Sequence, residues 1–208
     1  MGSWEAILIL SNTNSEKKMK TYELAGVERE GLGKKAAKQS RKANEVPCVL
    51  YGGKEVVHFN VKNEAVRKLI YTPEIFMVNL SVGNKACTAI LKDSQFHPVS
   101  GDTLHLDFLE VTADKPIIME VPVVLQGLAE GVKAGGKLVL EMRKLKVKAL
   151  YENIPEKLTI NVETLGLGKT IQVGSLSFEN LELLSAKNNV VCAVKLTRAA
   201  RGAAAKGN

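Results

Sequence analysis

Short β-prone runs, each closed off within a few residues by Gly, Pro, Asn or Asp, constrain this chain more than any other feature. From Tyr22 onward they include VPCVLYGG, VVHFNV, IFMVNLSVGN, ACTAILKD and TLHLDFLEV, and later KLTINV, TIQVGSL and VVCAVKL. β-Branched and aromatic residues between turn formers read as strands of about five or six residues. A chain punctuated this often is expected to be mainly β with a few helices. One clear helix interrupts the pattern: KNEAVRKLIY, residues 62 to 71, groups Ala65, Val66, Leu69 and Ile70 near one face and stops before Thr72-Pro73.

A polar turn with a proline, VTADKP at residues 111 to 116, suggests a boundary, and a fresh apolar run, IIMEVPVVL, follows it. Beyond it KLVLEMRKLKVKAL alternates Leu145, Val147 and Ala149 with Lys144, Lys146 and Lys148. That period predicts a half-buried strand with a cationic outer face, which a partner or solvent can cover. GLAEGVKAGGK, residues 127 to 137, is glycine-rich and expected to be mobile. The layout is therefore an upstream extension (1–18, expected to be poorly ordered), a first domain (19–112), a second β-rich domain (113–195) and a basic low-complexity tail (196–208).

At 208 residues the chain has enough length for two modest cores without metal or disulfide support. Its three cysteines, Cys48, Cys87 and Cys192, form no C-x-x-C and read as small strand residues in a reducing compartment. The short apolar run Ala6 to Leu10 is a poor signal peptide and too short to span a membrane. The net charge of +7 makes an anionic partner plausible. Residues 19 to 112 carry 13 basic and 11 acidic side chains, and residues 113 to 195 carry 11 and 9, so distribution matters more than the sum.

The basic excess of the first domain sits in REGLGKKAAKQSRK, residues 29 to 42, with six basic side chains and one acidic one. With Ala36 and Ala37 amid Lys, Gln and Arg, the stretch has a helix-forming option with a thin apolar face, and it is expected on the surface. Its GLGK, like a second copy before Thr170, invites a nucleotide-phosphate loop of the form G-x-x-x-x-G-K-[ST]. The leading glycine is replaced by Glu163 in one case and Glu28 in the other, and Lys35 stands where the first copy needs a hydroxyl. A carboxylate where phosphate must approach argues against both. A polynucleotide grip fits better: Gly31 and Gly33 permit close approach, while Arg29, Lys34, Lys35, Lys38, Arg41 and Lys42 supply charge. A solvated surface loop is the competing reading. Tyr51, at a Gly-flanked strand end, is able to stack on a base or sugar, or to fill the core.

HPVSGDTLHLDF, residues 97 to 108, is the other polar constellation. Extended, it turns Leu104, Leu106 and Phe108 one way and His105 and Asp107 the other, about 6–7 Å apart. Three uses compete: a metal site with His97, His105 and Asp107; acid–base catalysis; or a polar strand face for RNA 2′-hydroxyls and base edges in a wide, shallow minor groove. The first lacks a fourth ligand, and the second lacks a nucleophile or pocket. An enzyme using these residues or a GLGK loop remains the alternative, and a protein-interaction module with an incidental basic loop is a third.

Taken in order, R-E-G-L-G-K-K, R-K-A-N-E-V-P-C-V-L-Y-G-G and D-S-Q-F-H-P-V-S-G-D-T-L-H-L-D-F closely resemble the bacterial large-subunit ribosomal protein L-twenty-five family, also called general stress protein Ctc. The resemblance covers residues 19 to 112 by specific motifs; residues 113 to 195 match the longer form by position and β character. It implies a small N-terminal β-barrel with flanking helices, a mostly β C-terminal domain, and binding to 5S ribosomal RNA in the large subunit beside other ribosomal proteins. It implies no catalysis, cofactor, metal, membrane or small-molecule substrate, and a cytoplasmic, ribosome-associated protein. Carried over by motif, Arg29, Gly33, Lys34, Lys35, Lys38 and Arg41 belong in or beside an RNA-binding loop, and Tyr51, His105 and Asp107 on the sheet surface. Lys38-Gln39 departs from the arginines common in the family, which replaces guanidinium forks with a point charge and a neutral amide.

Overall fold

The computed structural model describes residues 19–83 and 85–197. The expectations for residues 1–18 and for nearly all of the basic tail therefore lie outside the described residues. Six strands close into a barrel in the order β1-β3-β2-β6-β5-β4. They are β1 (Lys20–Glu28), β2 (Glu45–Tyr51), β3 (Val57–Lys62), β4 (Phe76–Val82), β5 (Lys85–Phe96) and β6 (Thr103–Glu110). Closure is parallel, with Lys20 beside Phe76 through Gly26 beside Val82. Closing the sheet this way leaves no open edge to pair with a second chain.

Alternation explains which way each strand faces. In β2 and β6 the inward Cys48, Leu50, Leu106 and Phe108 are buried, while Val49, Tyr51, His105 and Asp107 lie half-buried on the outer face. Phe59 and Phe108 pack at 5.8 Å between ring centroids and fill the barrel interior. Pro47 is tolerated in β2 because the β2–β6 ladder begins only at Cys48, so its missing N–H costs no bond there. Helix α1 (Lys34–Lys42) crosses the outside of β2, and α2 (Asn63–Tyr71) buries Val66 and Leu69 in the barrel core.

The second domain stacks a four-stranded sheet, β10-β7-β9-β12, against a three-stranded one, β11-β13-β8. Its strands are β7 (Ile117–Gln126), β8 (Lys137–Leu140), β9 (Lys144–Ala149), β10 (Leu158–Asn161), β11 (Thr170–Gln172), β12 (Glu182–Leu183) and β13 (Val190–Lys195). Leu145 and Val147 of β9 are fully buried, as their alternation with lysine requires. The glycine-rich segment is packed rather than loose: it contains α3 (Glu130–Lys133), and Gly131 donates to the Leu165 carbonyl. A Cβ on Gly131 would come within 2.6 Å of the Leu167 nitrogen, so only glycine fits that backbone contact. The second GLGK is the turn leading into β11.

One apolar row joins the domains. Met77, Ile90 and Leu109 are direct neighbours across β4, β5 and β6 on the outside of the barrel, and they belong to the second domain's core cluster. Ile90 is fully buried, an outward barrel residue covered by the other domain. A β-bulge in β5, where Asp93 rather than Lys92 opposes Asp107, frees Lys92 to donate to the Ile118 carbonyl at 2.7 Å. Lys20 lies between Glu74 of the barrel and Glu156 of the second domain at 2.7 and 3.0 Å.

Candidate nucleic-acid interface

The basic run is a helix from Lys34 onward, not a loop. Gly33 caps it with φ of 105°, a left-handed value that favours glycine, and Asn44, also left-handed, follows its end. Its inward face is thin: Ala36 and Ala37 are half-buried and Ser40 is buried. Helical spacing then puts Lys34, Lys38 and Lys42 in one outward line with Lys35 and Gln39 beside it. Two lysines in the first turn, with no acidic residue there and no side-chain cap, oppose the helix dipole at that end, while Arg41 and Lys42 in the last turn favour it. None of the run's six cations has a carboxylate partner among the described residues.

Polar contacts hold this cationic helix to the barrel. The Arg41 guanidinium donates to the Leu104 carbonyl through Nε at 3.1 Å and Nη2 at 3.0 Å. The Asn60 amide of β3 donates to Ser40 Oγ at 2.9 Å and to Glu45 at 3.0 Å. Arg29 begins the segment: its backbone N–H donates to the His58 carbonyl, and its Nε to the Gly31 carbonyl at 2.9 Å. Arg29 and Arg41 thus position the run, while Lys34, Lys35 and Lys38 project from it.

The outer face of the barrel continues from the helix. Gln95 pairs with His105; Asp93, Asp107, Val49 and His58 form the next row; Ile90, Leu109 and Tyr51 form the one after. His105 Nδ1 lies 2.7 Å from Asp107 Oδ1, far closer than backbone spacing alone suggests. A carboxylate only accepts, so Nδ1 carries the proton of this contact, and Asp107 fixes the ring with Nε2 turned to its free side. With the spare lone pairs of Asp107 and the amide of Gln95, which both donates and accepts, this face offers a row of polar edges suited to hydroxyls and base edges. Burial, and then the charges of Asp107 and Asp93, push the Tyr51 phenol up from its ordinary range, keeping it a neutral donor.

His97 stands apart from this pair. Its Nδ1 accepts from the Val99 and Ser100 N–H groups at 3.3 and 3.1 Å, which staples the tight turn before β6. No group of three or more His, Cys, Asp and Glu suited to a metal exists among the described residues. Sequence reading had not singled out His58, Asn60, Asp93 or Gln95. The first two are the outward residues of VVHFNV, so alternation gave their direction, but their neighbourhood with His105 and α1 depends on strand register. No helix among the described residues is long and apolar enough to cross a membrane.

Family comparison matches both halves of the chain. Residues 24–108 match the ribosomal L25p family, and residues 116–198 match the C-terminal domain of ribosomal protein TL5. The large ribosomal subunit protein bL25 of Parabacteroides distasonis is 66% identical over 194 residues, covering 91% of this chain and 100% of the relative. The bL25 proteins of Azobacteroides pseudotrichonymphae and of Bacteroides fragilis are each 63% identical, covering 88% and 90% of this chain and 97% and 98% of those proteins. A barrel and a second β domain, matched over nearly their full length by such relatives, make this chain a member of the ribosomal L25p family in its two-domain form.

Proposed function

We propose that this chain is a structural constituent of the large ribosomal subunit that holds 5S ribosomal RNA between the lysine face of α1 and the polar outer face of the barrel. The ribosomal role rests on family membership: the relatives carry the name of a large-subunit protein, which supports a ribosome-associated, cytoplasmic protein and not an enzyme. The choice of RNA contact rests on one observation above the others. A helix whose lysines have no carboxylate partner among the described residues is clamped by Arg41 and Asn60 beside the polar row of Gln95, His105 and Asp107.

Each part then has a distinct task. Lys34, Lys35 and Lys38 neutralise phosphates and release counterions, which supplies salt-sensitive affinity. His105, Asp107 and Gln95 meet 2′-hydroxyls and base amines across a shallow minor groove, and Tyr51 offers a ring and a donor at its edge. Lys38 and Gln39 in place of two arginines give point charge without forked phosphate contacts, so recognition leans on the sheet face.

The test is a binding titration of the full chain with 5S rRNA and with an unrelated RNA duplex, at several salt concentrations. Tighter binding to 5S rRNA at physiological salt is expected. Lys34→Glu/Lys38→Glu should weaken binding roughly hundredfold and lower the salt slope by about two, with unchanged thermal unfolding. Equal affinity for both RNAs, or an unchanged affinity in the double variant, overturns the reading.

A further inference from the structure

We infer that the same RNA strand runs off the barrel face into the groove between the two domains and meets Lys144 of the second domain with a phosphate. The inference rests on the RNA reading above and extends it to a domain for which that reading assigns no contact. The groove has a volume of about 600 Å³, and its lining includes Tyr51, Glu74, Lys92, Asp93 and Asp107 on the barrel side and Glu120, Lys144 and Lys146 on the other, with Glu74 held by Lys20. Tyr51 and Asp107 therefore belong to both surfaces, and the polar barrel face opens into the groove without a break.

The cations lining the groove differ in availability. Lys146 lies 3.7 Å from Glu120, and Lys92 is spent on the Ile118 carbonyl. Lys144 has no carboxylate partner among the described residues and is exposed. Four residue steps along β6 take His105 to Leu109, roughly 13 Å, the span of a few stacked nucleotides. A strand that leaves base and 2′-hydroxyl edges on Asp107 and Asp93 would carry its phosphates away from those carboxylates, toward Lys144. The buried Met77–Ile90–Leu109 row and the Lys92 bridge keep the two walls in register, so Lys144 is pre-positioned rather than carried on a tether.

Lys144→Glu in the full chain, titrated with 5S rRNA, should lose affinity roughly tenfold and lower the salt slope by about one. Lys137→Glu, on the other sheet of the same domain, makes the same charge change away from the groove and should stay within twofold. Matching thermal unfolding of the two variants establishes that the folds are intact, and Lys144→Gln gives a milder version should the glutamate disturb β9. If Lys144→Glu binds like Lys137→Glu while the Lys34→Glu/Lys38→Glu variant still fails, this inference falls and the barrel reading stands. If none of the variants changes binding, both fall.

Discussion

Two lysine stripes of the same length tell opposite stories. On α1, Lys34, Lys38 and Lys42 point outward from a helix with almost nothing apolar beneath it. On β9, Lys144, Lys146 and Lys148 alternate with Leu145, Val147 and Ala149, which lie in a core. The strand's lysines are mostly answered from within the chain, with Lys148 held by Glu182 at 3.0 Å and Lys146 near Glu120 at 3.7 Å. The helix's are answered by nothing among the described residues. A cationic stripe in sequence is thus compatible with either a solvated face or a phosphate grip. What separates them is whether neighbouring strands bring carboxylates alongside.

The stripes should also differ in what their inward faces contribute to stability. Leu145→Ala is expected to cost about 2–5 kcal/mol, because it empties a fully enclosed site between two sheets. Ala36→Gly, beneath the helix stripe, should cost only about 1 kcal/mol through helix propensity. Chemical denaturation of the two variants measures both, and equal losses would mean that α1 is anchored by more than its thin face and two polar clamps.

Smaller effects sharpen the comparison from the binding side. Arg41→Lys keeps the charge but loses the two-pronged grip on the Leu104 carbonyl, so the helix is less well held. A several-fold loss of RNA affinity, with little change in salt slope, is the expected result of a titration. A fall in slope by a full counterion would instead make Arg41 a phosphate contact. Lys148→Ala breaks an exposed ion pair and should change stability by less than about 0.5 kcal/mol in the same denaturation assay.

Much of this architecture was legible in the linear sequence, and the unread part shares one cause. Strand runs, the helix over residues 62 to 71 and the alternation in β9 are local patterns, set by periods of two and 3.6 that survive without knowledge of neighbours. The His105–Asp107 side also follows from alternation. Residues whose role depends on register do not announce themselves. Ile90 reads as an ordinary strand residue, yet its neighbours Met77 and Leu109 make it part of the domain junction. Lys92 reads as a surface lysine until the bulge beside it is known. Glu120 and Glu182 lie 26 and 34 residues from the lysines they face, so ion pairing in β9 was invisible to any local count. The glycine-rich segment at residues 127 to 137 suggested mobility because glycine serves loops and close backbone packing equally well, and only the contact with residues 166 and 167 decides.

The most direct measurement compares the stripes by their salt dependence. The slope of log affinity for 5S rRNA against log salt should fall by about one counterion for Lys38→Ala and stay at the parent value for Lys148→Ala. Equal slopes for the two variants, or a fall confined to Lys148→Ala, would contradict the claim that the unpaired helix stripe, and not the ion-paired end of the strand stripe, grips the RNA.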